Sequence, residues 1–178
     1  MTWKNEKKSK ALLVVFGIYL ALLVWCILFK FALRPEEIPH LRGINLIPYA
    51  ESVIVNGKVQ MSEIVENMFL FLPFGLCISA FYPDSEIQNR ILLASGLSLV
   101  FEVTQYIFSI GASDITDVID NTLGAVLGIL VYLVMKKIWK EKTGKIVTVL
   151  GGVLEVLFLA GLLFLFAAVS YTHLRAHE

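Results

Sequence analysis

Apolar runs separated by short polar breaks occupy most of the chain. The first, Ala11–Phe29, reads ALLVVFGIYLALLVWCILF with no charged residue. Four more follow: about Ile64–Tyr82, carrying Glu66, Asn67 and Pro73; about Ile91–Ile110, carrying Glu102 and Gln105; about Asp117–Met135, polar at its start; and about Ile146–Val169, interrupted by Glu155. A bilayer core of about 30 Å takes roughly 20 apolar residues of helix to cross. Each run meets or approaches that length. The pattern predicts an all-α, polytopic membrane protein of about five transmembrane helices. Pro73 removes a backbone donor and predicts a kink in the second helix.

Composition extends this reading from elements to solvent. Hydrophobic residues make up 57% of the 178 and charged residues only 17%, against about 25% charged in an ordinary soluble domain. Mean hydropathy is +0.76. One soluble core cannot absorb so much apolar surface, so the lipid bilayer is the first partner. Disordered, collagenous and disulfide-scaffold classes are excluded. Lys+Arg and Asp+Glu are 15 each, so no basic surface for nucleic acid exists. Cys26 and Cys77 lie inside apolar runs without a CxxC partner and read as small buried hydrophobes.

Charge placement sets the expected orientation. The N-terminal stretch 1–10 is basic, with Lys4, Lys7, Lys8 and Lys10. A signal peptide would have an apolar stretch of about 7–15 residues and a small-residue cleavage site. The first run is longer and ends in Phe29-Lys30-Phe31, so residues 11–33 are expected as an uncleaved anchor. With the N-terminus in the cytoplasm, Arg90 and Lys136, Lys137, Lys140, Lys142 and Lys145 also fall inside. Ten basic residues then lie inside and five outside, as the positive-inside rule requires. The loop Arg34–Glu63 and the turn Gly111–Thr116 face outward. Within that loop, Val53–Val59 is expected as a small hairpin around Asn56-Gly57 on the membrane face. The last ten residues, VSYTHLRAHE, look like translated sequencing-adapter read-through. Residues 170–178 are set aside as an artefactual tail. His173 and His177 belong to it, and their i, i+4 spacing is not taken as a metal pair.

Ionisable groups inside a spanning helix cost about 2.5–3.5 kcal/mol near its centre, so each one needs a reason. In the third helix Ser95, Ser98, Glu102, Gln105 and Ser109 share an arc of about 80° at ~100° per residue. The serines read as interhelical hydrogen bonding. In the fourth, Asp114, Asp117, Asn121, Gly124 and Gly128 share a similar arc, and Asp120 lies off it. Asp114 suits an N-cap with Asp117 at N3. Gly124 and Gly128 form a G-x-x-x-G pair that admits another helix, a candidate homo-oligomer contact. In the second helix Asn67 lies one turn after Glu63, as a cap or a helix contact. In the predicted topology all three sets lie at the outer leaflet. The expectation is an acidic and amide pocket opening outward.

These residues carry a resemblance. Asn45-Leu46-Ile47-Pro48-Tyr49, Glu66-Asn67-Met68-Phe69-Leu70-Phe71-Leu72-Pro73-Phe74-Gly75, Glu102-Val103-Thr104-Gln105 and Asp114-Ile115-Thr116-Asp117-Val118-Ile119-Asp120-Asn121-Thr122-Leu123-Gly124 resemble, in order and spacing, the VanZ-like family. The likeness covers about residues 40–135, three helices and the outer loop. It leaves 146–169 as a further, fifth helix. The resemblance implies a small multi-pass protein of the bacterial cell membrane, in a family named for a protein associated with teicoplanin resistance. It carries over Asn45, Asn67, Glu102, Gln105, Asp114, Asp117 and Asn121 as binding-site candidates, with no metal. Many relatives place an Arg shortly before the first Asp. Here Gly111-Ala112-Ser113 holds none, and Lys30, Arg34 or Arg42 is left to compensate.

Three functions compete. The first is a non-catalytic envelope protein, whose acids hold a cationic amine and whose amides bind an envelope lipid or a glycopeptide, lowering glycopeptide susceptibility. The second is an intramembrane enzyme on a lipid-linked substrate. Glu102 would be its general base, Asp114 and Asp117 would hold a divalent cation, and Asn121 would stabilise charge. Against it, the chain has no G-x-S-x-G, no H-E-x-x-H and no Gly-rich phosphate loop. The third is a transport or assembly subunit, though no inverted repeat is visible. The sequence names no cofactor.

Overall fold

The computed structural model describes residues 10–29, 32, 36, 41–49, 54, 55, 58, 59 and 61–175. Lys4, Lys7, Lys8, Lys30, Arg34, Asn56, Gly57 and His177, all invoked above, lie outside the described residues. The described helices are α1 (Lys10–Phe29), α2 (Met61–Phe81), α3 (Ile87–Phe108), α4 (Ile115–Trp139) and α5 (Thr143–Arg175), with a 3-10 turn at Lys140–Lys142 between the last two. Each apolar run becomes a helix that begins one to four residues earlier, in its N-terminal flank, and the third stops at Phe108, leaving Ile110 to a strand. Helix α2 continues through Pro73. Helix α5 continues to Arg175, into the stretch set aside as a tail.

Four helical stretches among the described residues are long and apolar enough to cross a membrane: Lys10–Phe29, Met61–Phe81, Ile87–Phe108 and the 50-residue Ile115–Phe164. The fourth contains both α4 and α5. Lys140 breaks it with a positive φ of 49°. After that break α5 packs on α1 and α2 rather than extending α4. Val147 shares a cluster with Leu12, Phe81 and Met135, and Gly151 faces Val15. Residues 147 and 151 thus meet 12 and 15 in the same order, so α5 runs parallel to α1.

Helix α2 touches the other four helices. Apolar side chains gain little by leaving lipid for protein, so close packing has to hold such helices together. Phe71, Phe74, Phe101, Leu23 and Ala125 form the main core between α1, α2, α3 and α4. The tightest seam is α2 against α4. A Cβ added at Gly124 or Gly128 would collide with the carbonyl oxygen of Met68 or Leu72, and one at Gly75 would collide with that of Ala125. The helix admitted by the glycine pair is therefore α2 of the same chain.

The structure adds β-strands that the helical pattern does not predict. Strand β1 (Leu41–Asn45) pairs in parallel with β4 (Ile110–Asp114), in the register Arg42↔Gly111 and Asn45↔Asp114. Strands β2 (Ile54–Val55) and β3 (Lys58–Val59) pair antiparallel, as expected for a hairpin there. The parallel pair has a physical reason. The link from α3 to α4 leaves backbone groups without helical partners at the end of the bundle, and such groups must be paired. Strand β1 supplies the partners.

Candidate functional site

Helix α3 ends at Ser109 in the left-handed conformation, φ 55°, and the chain turns into β4. At the end of β4, Asp114 is the N-cap of α4 and its Oδ1 accepts from the Thr116 N–H at 2.7 Å. Its own N–H donates to Glu102 Oε2 at 2.7 Å. The strand register places Asn45 opposite, and Asn45 Nδ2 donates to Asp114 Oδ2 at 3.0 Å. Asn45 Oδ1 accepts from the Ile47 N–H at 3.1 Å, folding the loop back on itself. Thus α3, β1, β4 and α4 converge on Asp114.

The next two acids of α4 hold other elements. Asp117, at the N3 position, accepts from Asn67 Nδ2 of α2 at 2.8 Å. Asp120 is 1% exposed and accepts from the Tyr49 hydroxyl at 2.9 Å. The Tyr49 N–H also donates to Thr116 Oγ1 at 3.0 Å. Tyr49 has a φ of 60°, rare for a bulky residue. Two side-chain contacts hold it there. Desolvation, then the Asp120 carboxylate, raises the Tyr49 phenol above its ordinary range, so it remains a donor at neutral pH. Asp114, Asp117 and Asp120, three residues apart, thus tie the N-terminal turns of α4 to β1, α2 and the loop that carries Tyr49.

Two expected members hold the frame instead. Gln105 Nε2 donates to the carbonyl of Ile27 at 3.0 Å, in the last turn of α1. Asn121 Nδ2 donates to Ser98 Oγ at 2.9 Å, joining α4 to α3. Their oxygens, Gln105 Oε1 and Asn121 Oδ1, are buried without a partner. Exposure divides the set. Asn45, Asn67 and Asp117 are half-buried and Tyr49 is exposed, whereas Glu102, Gln105, Asp114, Asp120 and Asn121 are buried. The side chains meet one another. Two surface depressions lie elsewhere, on α5, around Val149 and Val153 and around Lys145 and Leu150. No group of three or more His, Cys, Asp or Glu among the described residues is arranged to hold a metal ion.

Sequence reasoning missed Tyr49, Thr116 and Asp120. Asp120 was placed off the polar arc of α4, and a partner in the preceding loop leaves no helical periodicity to find. All three residues do stand inside the quoted motifs. Of the cations left to compensate, Arg42 is the one among the described residues. Arg42 pairs with Gly111, and its guanidinium lies 4.5 Å from the centre of the Tyr106 ring.

Comparison with known proteins identifies the family. The VanZ/LLP1 family matches residues 16–136, which include most of α1 as well as the network. The chain is 34% identical to Protein VanZ of Enterococcus faecium over 164 residues, 90% of this chain and 92% of the relative. No solved structure matches. With the family match spanning well over half its length, and those motifs folded into one network, the chain belongs to the VanZ/LLP1 family.

Proposed function

We propose that the chain is a multi-pass protein of the bacterial cell membrane, with five spans and its N-terminus in the cytoplasm, that lowers susceptibility to glycopeptides of the teicoplanin class without catalysing a reaction. The observation that carries the reading is the acid and amide network at one end of the bundle. The start of α2, the end of α3 and the start of α4 lie together there, joined by the Asn67–Asp117, Asp114–Glu102 and Asn45–Asp114 hydrogen bonds. Positive-inside placement puts this end at the outer leaflet. Asn67 and Asp117 are accessible enough to meet a ligand, and Asp117 next to an amide suits a cationic amine in an amide-rich molecule. Glu102 and Asp114 act from beneath, fixing the N-terminus of α4. The metal-dependent enzyme reading lacks a ligand cluster among the described residues.

The test is glycopeptide susceptibility of cells expressing the protein, beside mass-spectrometric profiling of lipid-linked wall precursors. Asp117→Asn preserves the oxygen that accepts from Asn67, and Glu102→Gln preserves the one that accepts from Asp114. Both variants are expected to express normally, lose most of the protection and leave precursor lipids unchanged. Full protection by both would remove the network from the function. Precursor lipids altered by the wild type and restored by the variants would favour the enzyme.

A further inference from the structure

The opposite end of the bundle carries an arrangement that the acid network does not use. The turn from α2 to α3, Tyr82–Glu86, is gripped from below by Arg90. Its Nη2 donates to the carbonyls of Pro83 at 3.1 Å and Ser85 at 2.6 Å. Arg90 is 2% exposed, and its Nε and Nη1 have no partner. No carboxylate among the described residues lies within ion-pair distance of it. A buried guanidinium without a counter-charge is costly, so the fold calls for an anion near it. From α4, Lys136 Nζ reaches the same Pro83 carbonyl at 3.1 Å. Its ion-pair partner is Asp84, 3.8 Å away and almost wholly in solvent, which neutralises little. The same turn leads into α3, whose N-cap Glu86 makes no side-chain capping bond. The first amides of that 22-residue helix therefore point outward with the positive end of its dipole.

Three features thus converge on one turn: a buried guanidinium with unused donors, an ammonium from a second helix, and an uncapped helix N-terminus. All three supply donors or positive potential. Against them stand the exposed Asp84 and Glu86, whose side chains are free to swing into water. We propose that this turn is an anion site for a phosphate group, held between Arg90 and Lys136 over the first turn of α3. Arg suits the fork of phosphate oxygens, Lys adds a point charge, and helix N-termini accept phosphate through their free N–H groups. The turn joins two helices that are each long and apolar enough to cross a membrane, and a turn between two spans falls at the depth of lipid phosphates. Basic pockets between helices on the cytoplasmic side hold anionic headgroups in this way. The chemistry is shared by a phospholipid headgroup and a free phosphate.

The test uses the full chain purified in dodecyl maltoside, which carries no phosphate. Phosphatidylglycerol and, separately, inorganic phosphate are titrated, and binding is read by native mass spectrometry and by the shift in unfolding temperature. The expected result is a saturable one-to-one adduct that raises the unfolding temperature. Response to phosphatidylglycerol alone assigns the site to lipid, and response to both assigns it to phosphate in general. Lys136→Gln and Arg90→Lys are each expected to weaken binding about tenfold, the loss of roughly one charged contact. Lys142→Gln, an exposed lysine at the same end, is expected to leave it unchanged. If Arg90→Lys does not fold, Lys136→Gln against Lys142→Gln decides. Absence of binding by both probes overturns the proposal. So does equal affinity in wild type and Lys136→Gln, or an equal loss in Lys142→Gln, which would mean bulk charge.

Discussion

Single hydrogen bonds decide how firmly the loop that carries Asn45 and Tyr49 sits on the bundle. Asp120 is fully buried, and the Tyr49 hydroxyl is its hydrogen-bond donor. Removing the donor to a buried carboxylate leaves that carboxylate unsatisfied, at about 1–3 kcal/mol. Tyr49→Phe is therefore expected to lower stability by that amount in detergent unfolding. Tyr49→Phe combined with Asp120→Leu, which removes both polar groups, should recover part of the loss. The pH dependence of this strap follows from the sign of its shift. The folded state raises the phenol above its unfolded value, so the protonated, donating form is the one that folding favours. Its contribution is complete below about pH 10, the ordinary tyrosine value, and fades as pH rises beyond it. Across neutral pH the strap is expected to hold constant. Asp114 is a second case. Asp114→Ala removes both the cap on Thr116 and the link to Asn45, and an N-cap alone is worth about 1 kcal/mol. Asp114→Asn retains an oxygen for the cap and should be milder in the same assay.

At the scale of elements, glycine marks where helices touch and where they do not. Gly124 faces the Met68 backbone closely enough that a methyl group would collide with it, whereas Gly96 has nothing within 4 Å. Gly124→Ala is expected to destabilise by about 1–3 kcal/mol, as overpacking does. Gly96→Ala should instead stabilise by about 0.5–1 kcal/mol, because helix interiors favour alanine. Unfolding temperatures of the two variants, moving in opposite directions, check the seam. The same contrast explains what was legible in the chain. The helices were readable because long apolar runs are local in the chain. The motif spacing also made Asp114, Asp117 and Glu102 visible, since acids are conspicuous in apolar helices. The β1–β4 pair was not legible: Asn45 and Asp114 are 69 residues apart, and nothing in either segment's pattern names its partner. The roles of Gln105 and Asn121 were hidden for a related reason. An amide on a polar arc reads alike whether it faces a ligand, the Ile27 carbonyl or Ser98.

At the scale of the whole molecule, the two ends of the bundle have opposite chemistry. One end gathers acceptors, Glu102 and three aspartates, under a loop tied down by Asn45 and Tyr49. The other gathers donors, Arg90 and Lys136, around a short turn. The positive-inside rule reads this asymmetry as a direction in the bilayer. The asymmetry also makes the glycopeptide proposal depend on one orientation. A ligand arriving from outside reaches Asn67 and Asp117 only if the start of α2 is external. Glu63, exposed at that start, and Asp84, exposed in the opposite turn, are suitable reporters. The native Cys26 and Cys77 are buried and should stay silent. With a membrane-impermeant maleimide on intact cells, Glu63→Cys is expected to label at once and Asp84→Cys only after permeabilisation. The reverse pattern would turn the acid network toward the cytoplasm and end the glycopeptide proposal. The phosphate site would survive it, since lipid phosphates line both faces of a bilayer.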